Sequence, residues 1–324
     1  MTNSRTLLGV FAHPDDESFG PGGTLARYAA EGVQVHVIIA TDGDAGSVTE
    51  SHRNQGERTL AQVRSEELAR AAVELGVTSI WNLPYRDSGM RGSPDNGHPR
   101  SLVQQPLERL VHELIDYFRR LKPQVAITHD PYGGYGHPDH IRCCEAVTAA
   151  FYAAGQADAS NADRNGDGLP PHAAQKLYYS SFDKRMLRWI VKFMQLTGRN
   201  PRQVGRNQDV DLVQIAAWET PIHARIDVRA YLDRKERASR AHASQYSGGP
   251  STLRALPQPL RRRLSRFENY TRAFPAPSAY QEPDLFHNVI WQEISGSAVR
   301  NRTPANSGRC GIPSARQTLV SSNS

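Results

Sequence analysis

Cysteine is scarce: Cys143, Cys144 and Cys310 are the three in 324 residues. Two are neighbours, so neither a disulfide framework nor a CxxC metal knuckle is available, and any metal has to be held by histidine and carboxylate. Long apolar runs are missing too. No stretch approaches the roughly 18 consecutive apolar residues of a membrane helix, and the opening segment turns polar at Asp15 and Asp16 before a signal-peptide core can form. The expectation is a cytoplasmic protein without membrane insertion. Aromatics are few, at 8%, with hydrophobic residues at 38%. That is lean but sufficient for a core at this length, which excludes a disordered or fibrous chain.

The charge is +6, from 39 Lys and Arg against 33 Asp and Glu, and its position matters more than its size. Between Arg225 and Arg266 stand eleven cations and three acids, so the rest of the chain is slightly acidic. No RNA- or DNA-binding signature accompanies this segment, and a solvated helix face, a homo-oligomer contact or a flank favouring anionic conjugates is expected instead of nucleic acid.

The first half alternates strand-like and helical patterns. Strands are expected at Leu7 to Ala12, Val33 to Ala40, Ser79 to Leu83 and Gln124 to Thr128. Helices are expected at Thr24 to Glu31, Glu57 to Leu75 closed by Gly76, and Leu102 to Leu121 stopped by Pro123. Alternation at this pitch means βαβ units, hence a Rossmann-like three-layer α/β/α fold with a mainly parallel sheet. Later, Phe151 to Pro171 reads as a loop, Lys176 to Phe182 and Pro221 to Val228 as strands, and Met186 to Leu196, Arg229 to Gln245 and Pro257 to Ala273 as helices. The expected organisation is one domain over residues 1–295, with a core at 5–150 and a C-terminal elaboration at 151–295. Residues 296–324, rich in Ser, Asn, Arg and Gly, read as a disordered tail.

Parallel sheets bind ligands beyond the carboxyl ends of their strands. Two such ends carry related motifs: His13-Pro14-Asp15-Asp16-Glu17 after the first strand, and Tyr135-Gly136-His137-Pro138-Asp139-His140 after the fourth. Each offers two ligands three residues apart, His13 with Asp16 and His137 with His140, and a proline suited to the first turn of a helix. His13, Asp16 and His140 make a His2Asp set that leaves a position open for water, as catalytic zinc requires. Fe2+ and Mn2+ suit the same donors. Hydrolysis of an amide then needs a base, an acid and an oxyanion donor. Asp15 is placed as base, His137 as acid or oxyanion stabiliser, Asp139 to hold the His137 ring in its tautomer, and Tyr135 as a further hydroxyl donor. A single His-Pro-Asp would be an ordinary capped loop; a pair at two strand ends is not.

These residues resemble those of the LmbE-like, or PIG-L, zinc-dependent de-N-acetylases, whose motifs are written AHPDDE and HPDH. The resemblance extends through Thr41-Asp42-Gly43, Arg64 to Leu68, Tyr85 to Met90 and Asp130 to Tyr135, and more weakly to Lys235 to Gln245, which includes His242. Within the superfamily it is closest in motif to the mycothiol-pathway deacetylase and amidase. It implies a small glucosamine-containing amide as substrate, the same zinc ligands, Asp15 as base, and sugar contacts from Arg64 and Asp87, which by themselves would read as a solvated helix charge and a turn residue. His129 departs from the pattern, standing where tyrosine occurs in the mycothiol deacetylase, and Phe19 is bulkier than that position usually carries.

Other signals fail on inspection. Gly20-Pro21-Gly22-Gly23 invites a dinucleotide reading, which needs glycine where Leu25 stands. Asp163 to Gly168 begins like a calcium loop, but its twelfth position is Ala174. Ser88 lacks the leading glycine of a nucleophile elbow, and Cys143 and Cys144 read as packing. The favoured function is thus removal of an acetyl group from an N-acetylglucosaminyl conjugate. The alternatives are an amidase cleaving a larger acyl group and, remotely, a non-catalytic sugar- or nucleic-acid-binding protein.

Overall fold

The computed structural model describes residues 5–46, 58–157, 169–205, 208, 210–246, 257–278, 280–290 and 317–318. Five strands of its sheet run parallel: β1 (Thr6–Phe11), β2 (Gln34–Thr41), β3 (Ser79–Tyr85), β4 (Val125–Thr128) and β5 (Lys176–Ser181). β1 and β4 are buried at every position, as expected for strands covered on both faces. Leu25, Tyr28, Leu68 and Leu75 of α2 (Gly22–Ala30) and α3 (Leu60–Leu75) pack on one face. Leu110, Leu114, Phe118, Val147 and Phe151 of α4 (Leu107–Leu121) and α5 (Pro138–Ala153) pack on the other. Cys143 and Cys144 lie buried on α5 as free thiols, and burial pushes the Cys144 thiol up to about 12.

The order is β6-β7-β5-β4-β1-β2-β3-β8, where β6 (Ala224–Asp227) and β7 (Phe267–Phe274) extend one edge and the two-residue β8 (Gln317–Thr318) pairs antiparallel with β3 at the other. The second half therefore adds four strands, β5 to β8, to the sheet begun by the first. β1 lies between β2 and β4, so the connections leaving β1 and β4 diverge and open a crevice at their carboxyl ends.

Local chemistry fixes the boundaries. Thr59 and Gln62 form a reciprocal capping box at the start of α3, two residues inside the expected start at Glu57. Gly76, at φ 74°, ends it in the left-handed conformation. The single helix expected over Leu102 to Leu121 is broken: a 3-10 turn, Leu102–Gln104, precedes Pro106, and α4 begins after it. A larger difference concerns Pro257 to Ala273. Only Gln258–Leu264 is helical, and Phe267 onward forms β7. The inward positions of β7 include Glu268 and Arg272, so the apolar alternation that marks a strand is absent. Glu268 instead accepts from the N–H groups of Gly23 and Thr24 at the start of α2 and from Lys235. Gly23 is obligatory there, since a Cβ would lie 2.7 Å from Val228. α5 runs on to Ala153, into the loop expected from Phe151 to Pro171; residues 158–168 of that loop, with the calcium-like turn, and nearly all of the expected tail lie outside the described residues.

Candidate active site

Beyond β1 the chain turns through His13-Pro14-Asp15 into the short helix α1 (Asp16–Phe19). Asp15 holds a φ of 138°, a conformation that survives in a non-glycine residue only where the surroundings over-determine it. Here they do. The Asp15 N–H donates to Glu17 Oε2 at 2.9 Å, and its carboxylate meets Arg64 Nη2 at 3.0 Å. Buried Arg64, from the first turns of α3, also donates to the carbonyls of Gly43 at 2.8 Å and Pro14 at 2.5 Å.

The second cluster follows β4. Gly133, at φ 74°, lets the loop fold against the start of α5, where a Cβ would lie 2.8 Å from His137 O. His137 is the N-cap of α5: its Nδ1 accepts the Asp139 N–H at 3.2 Å, and Pro138 follows at the first helical position. His140 stands one turn further in. Asp139, expected to orient His137 through its carboxylate, does so through its backbone N–H. The Asp139 carboxylate, completely buried, reaches His13 Nε2 at 3.3 Å and accepts the Ser88 N–H at 2.9 Å.

His13, Asp16 and His140 converge. His13 Nδ1 lies 3.1 Å from His140 Nε2 and 3.4 Å from Asp16 Oδ2, and His140 Nε2 lies 3.4 Å from Asp16 Oδ1. Ligand atoms placed tetrahedrally about 2.05 Å from a zinc ion are separated by about 3.3 Å, and the three side chains approach one another at that spacing, with a different Asp16 oxygen nearest each histidine. The far side of His13 supports the fit: Nε2 faces Asp139 and, at 3.4 Å, Asp87. That carboxylate pair fixes Nε2 as the protonated nitrogen and turns the Nδ1 lone pair inward. Buried Asp139 Oδ1 has no hydrogen-bond partner. His129 also borders Asp16 and His140, yet its Nε2 lone pair is taken by the Ala12 N–H at 3.0 Å. It stacks on the His140 ring at 3.8 Å instead.

The buried charges around His13 interact strongly with one another. Burial opposes charge on His13, but Asp87, Asp139 and Asp16 together hold its pKa well above the usual value. Burial likewise opposes charge on Asp87, but His13 and the Gly89 N–H hold that carboxyl well below its usual range. Asp15 moves the other way, raised mainly by burial against the pull of Arg64. Burial, with His13 and His140 nearby, pushes His137 down to about 2. His137 is therefore neutral, and with Nδ1 accepting, its Nε2 carries the proton as a donor.

Two cavities meet at Asp15, Tyr135, Val210 and Gln245. The smaller, about 290 Å³, is bordered by His13, Arg64, Asp87, Ser93 and His137. The larger, about 820 Å³, has an apolar wall including Phe19, Phe182, Leu187, Ile215 and Phe267. Asp87 is thus brought to the same chamber as His13 and His137. Arg64 borders it too, although both of its terminal nitrogens are engaged by the protein. Tyr135, 40% exposed, sits over the His140 ring at 5.1 Å. The sequence reading gave no role to Glu17, His242 and Gln245. Glu17 and His242, both completely buried, bond at 2.7 Å, which links α8 (Leu232–Ala241) and its C-terminal turn to the Asp15 loop. Their signal was present, since Glu17 ends the first motif and His242 lies in the late segment of resemblance, but nothing local pairs them.

Comparison with known proteins bears on the family and the fold. The profile described as PIG-L: GlcNAc-PI de-N-acetylase matches residues 8–151. A 1D-myo-inositol 2-acetamido-2-deoxy-alpha-D-glucopyranoside deacetylase 2 from Catenulispora acidiphila is 37% identical over 86% of this chain and 92% of its own. The protein named as the corresponding deacetylase in Streptomyces griseus is 38% identical over 87% and 88%. Among solved structures, N,N'-diacetylchitobiose deacetylase from Pyrococcus horikoshii superposes with a TM-score of 0.57 at 21% identity, over 88% of this chain and 86% of that one. The conserved protein TT1542 from Thermus thermophilus gives 0.54 at 23%, over 85% and 96%. These two support the α/β/α fold, and the identities to the curated relatives, sustained over nearly the whole chain, show that it belongs to the PIG-L de-N-acetylase family.

Proposed function

We propose that this protein is a metal-dependent hydrolase that removes the acetyl group from a small N-acetylglucosaminyl conjugate, of the 1D-myo-inositol glycoside type named for its relatives. His13, Asp16 and His140 are the metal ligands in this reading. Zinc is the proposed ion. A divalent cation held there supplies Lewis-acid polarisation of the amide carbonyl and lowers the pKa of water.

The observation that carries the proposal is the position of Asp15. It lies beside the three converging donors, at the junction of both cavities, with its carboxyl raised by burial toward the range of an effective base at neutral pH. Asp15 takes the proton of the attacking water and returns it to the leaving amine. Neutral His137 donates from Nε2 to the developing oxyanion, a task suited to imidazole and not to imidazolium. This narrows its role from acid or oxyanion stabiliser to the second. The Tyr135 hydroxyl is a further donor at the mouth. In the smaller chamber Asp87 accepts from sugar hydroxyls, and Arg64 borders the sugar while gripping Asp15. The relatives are named as deacetylases, which favours acetyl over the larger acyl group of an amidase.

The test is acetate release from the glucosaminyl-inositol acetamide by purified protein, abolished by chelation and restored by added zinc, Fe2+ or Mn2+ in separate assays. A metal-loaded protein that binds this sugar yet releases no acetate would defeat the proposal.

A further inference from the structure

The helix α6 (Lys184–Leu196) is strongly amphipathic in an unusual sense: its apolar side is divided. Val191 is buried and Leu187 borders the larger cavity. A second apolar stripe, Met186, Trp189, Phe193 and Leu196, faces solvent, with Trp189 73% and Leu196 86% exposed. The spacing i, i+3, i+7, i+10 places these four on one side of the helix. Beside them run Arg185, Arg188, Lys192 and, just past the helix, Arg199, and no acid occurs from residue 184 to 208.

The charges here differ from those of the basic segment 225–266. There six of the eleven cations pair with acids, Arg229 and Arg266 with Asp227, Lys235 with Glu268, Arg237 with Glu74, Arg240 with Glu236 and Arg262 with Asp233. Near α6, Arg185 pairs with Asp183 and Arg202 with Asp211, and Arg188 donates through Nε to the Ala216 carbonyl at 3.1 Å while its outer nitrogen reaches Glu219 only at 3.9 Å. Lys192 lies over the Trp189 ring at 5.5 Å, and neither Lys192 nor Arg199 has an acidic partner among the described residues.

We propose that α6 lies on an anionic lipid surface, with Trp189, Phe193 and Leu196 in the interface and Lys192, Arg188 and Arg199 against lipid phosphates. An exposed apolar stripe with tryptophan, edged by cations whose stems can extend along it, is the composition of an interfacial helix. A second copy of the chain is the weaker occupant. An isologous contact through this stripe would set its cationic edge near the partner's, and like charges would oppose the pairing. Because Leu187 of the same helix lines the larger cavity, docking would bring the mouth of the site close to the bilayer.

The experiment is vesicle flotation of the full chain with phosphatidylcholine alone and with equal parts phosphatidylglycerol, while Trp emission is followed. The proposal expects binding to the anionic vesicles, its loss in high salt, and a blue shift absent from Trp189→Phe. Arg188→Glu with Lys192→Glu should weaken binding by roughly fivefold or more per charge, and Trp189→Ser with Phe193→Ser should abolish it. Acetate release from a water-soluble substrate should be unchanged in all three, which separates this idea from the proposed function. Three outcomes would overturn it: no binding, equal binding to neutral vesicles, or a dimer without vesicle binding that the Trp189→Ser, Phe193→Ser variant dissolves.

Discussion

The Asp139 carboxylate lies 3.3 Å from Nε2 of His13, on the side of that ring facing away from His140. It also accepts the Ser88 N–H, and with Asp87 it sets which His13 nitrogen is protonated. Asp139→Asn should therefore act on metal affinity. A weakening of about 10- to 100-fold is expected, with the fold retained. Metal titration by calorimetry, together with the melting temperature, checks this. Unchanged affinity with a lowered kcat would instead return Asp139 to the role of orienting His137.

Arg64 separates two roles that the sequence could not. Its terminal nitrogens are engaged by Asp15, Pro14 and Gly43, so its main task is to hold Asp15, the proposed base. Arg64→Gln should lower kcat by about 100-fold or more, the scale of a misplaced general base, with a smaller change in KM. A rise in KM at constant kcat would mark a pure sugar contact.

Glu17 and His242 join the Asp15 loop to the far end of α8. Glu17 accepts the N–H of strained Asp15 through Oε2 and bonds His242 Nε2 through Oε1. His242→Leu removes one donor from buried Glu17, which keeps the Asp15 N–H and the Ser18 hydroxyl, so it should cost about 1–3 kcal/mol, and it loosens the tie that aims the Asp15 loop. Both the melting temperature and kcat should fall. An active variant of normal stability would show that the loop holds itself.

The same contacts show what was legible in the sequence. β1, β2 and β4 were readable because strands buried at nearly every position are largely continuous apolar runs, while β3 and β5 carry shorter apolar cores; the proposed ligands His13, Asp16 and His140 were readable because they sit in short motifs at strand ends. β7 was not, since Glu268 and Arg272 occupy inward positions, Glu268 satisfied by Gly23, Thr24 and Lys235 far away in the chain and Arg272 by Glu282 ten residues on. The break at Pro106 was legible but overridden by the apolar periodicity on either side. His137 and Asp139 form a capping turn in which backbone geometry, not residue type, decides which group bonds which. The Glu17–His242 bond spans 225 residues and has no local trace.

Glu282 anchors the edge of the sheet. It is buried and accepts from Lys176 at 2.7 Å, Tyr178 at 2.5 Å and Arg272 at 2.6 Å. Glu282→Leu would leave two buried cations facing each other and should cost about 3–5 kcal/mol. Glu282→Gln keeps the shape and some acceptor capacity and should cost less. Denaturant unfolding measures both. Equal stability of the leucine variant would mean that the cations escape to solvent when released.

His36 predicts how stability responds to acid away from the site. It lies within β2, beside Ser79 Oγ at 2.7 Å, and burial pushes its pKa down to about 4. In the unfolded chain a histidine titrates near 6.5. Between these values the unfolded chain takes up a proton that the folded one refuses, so stability falls as the pH is lowered through that window and is fully present above it. His36→Phe removes this proton uptake from the unfolded state, and its melting temperature should decline less steeply from pH 7 to pH 4.5 than that of the parent. The carboxylates add their own acid sensitivity to both proteins, so the difference between the two slopes is the readout. Parallel slopes would show that His36 is protonated in the folded sheet.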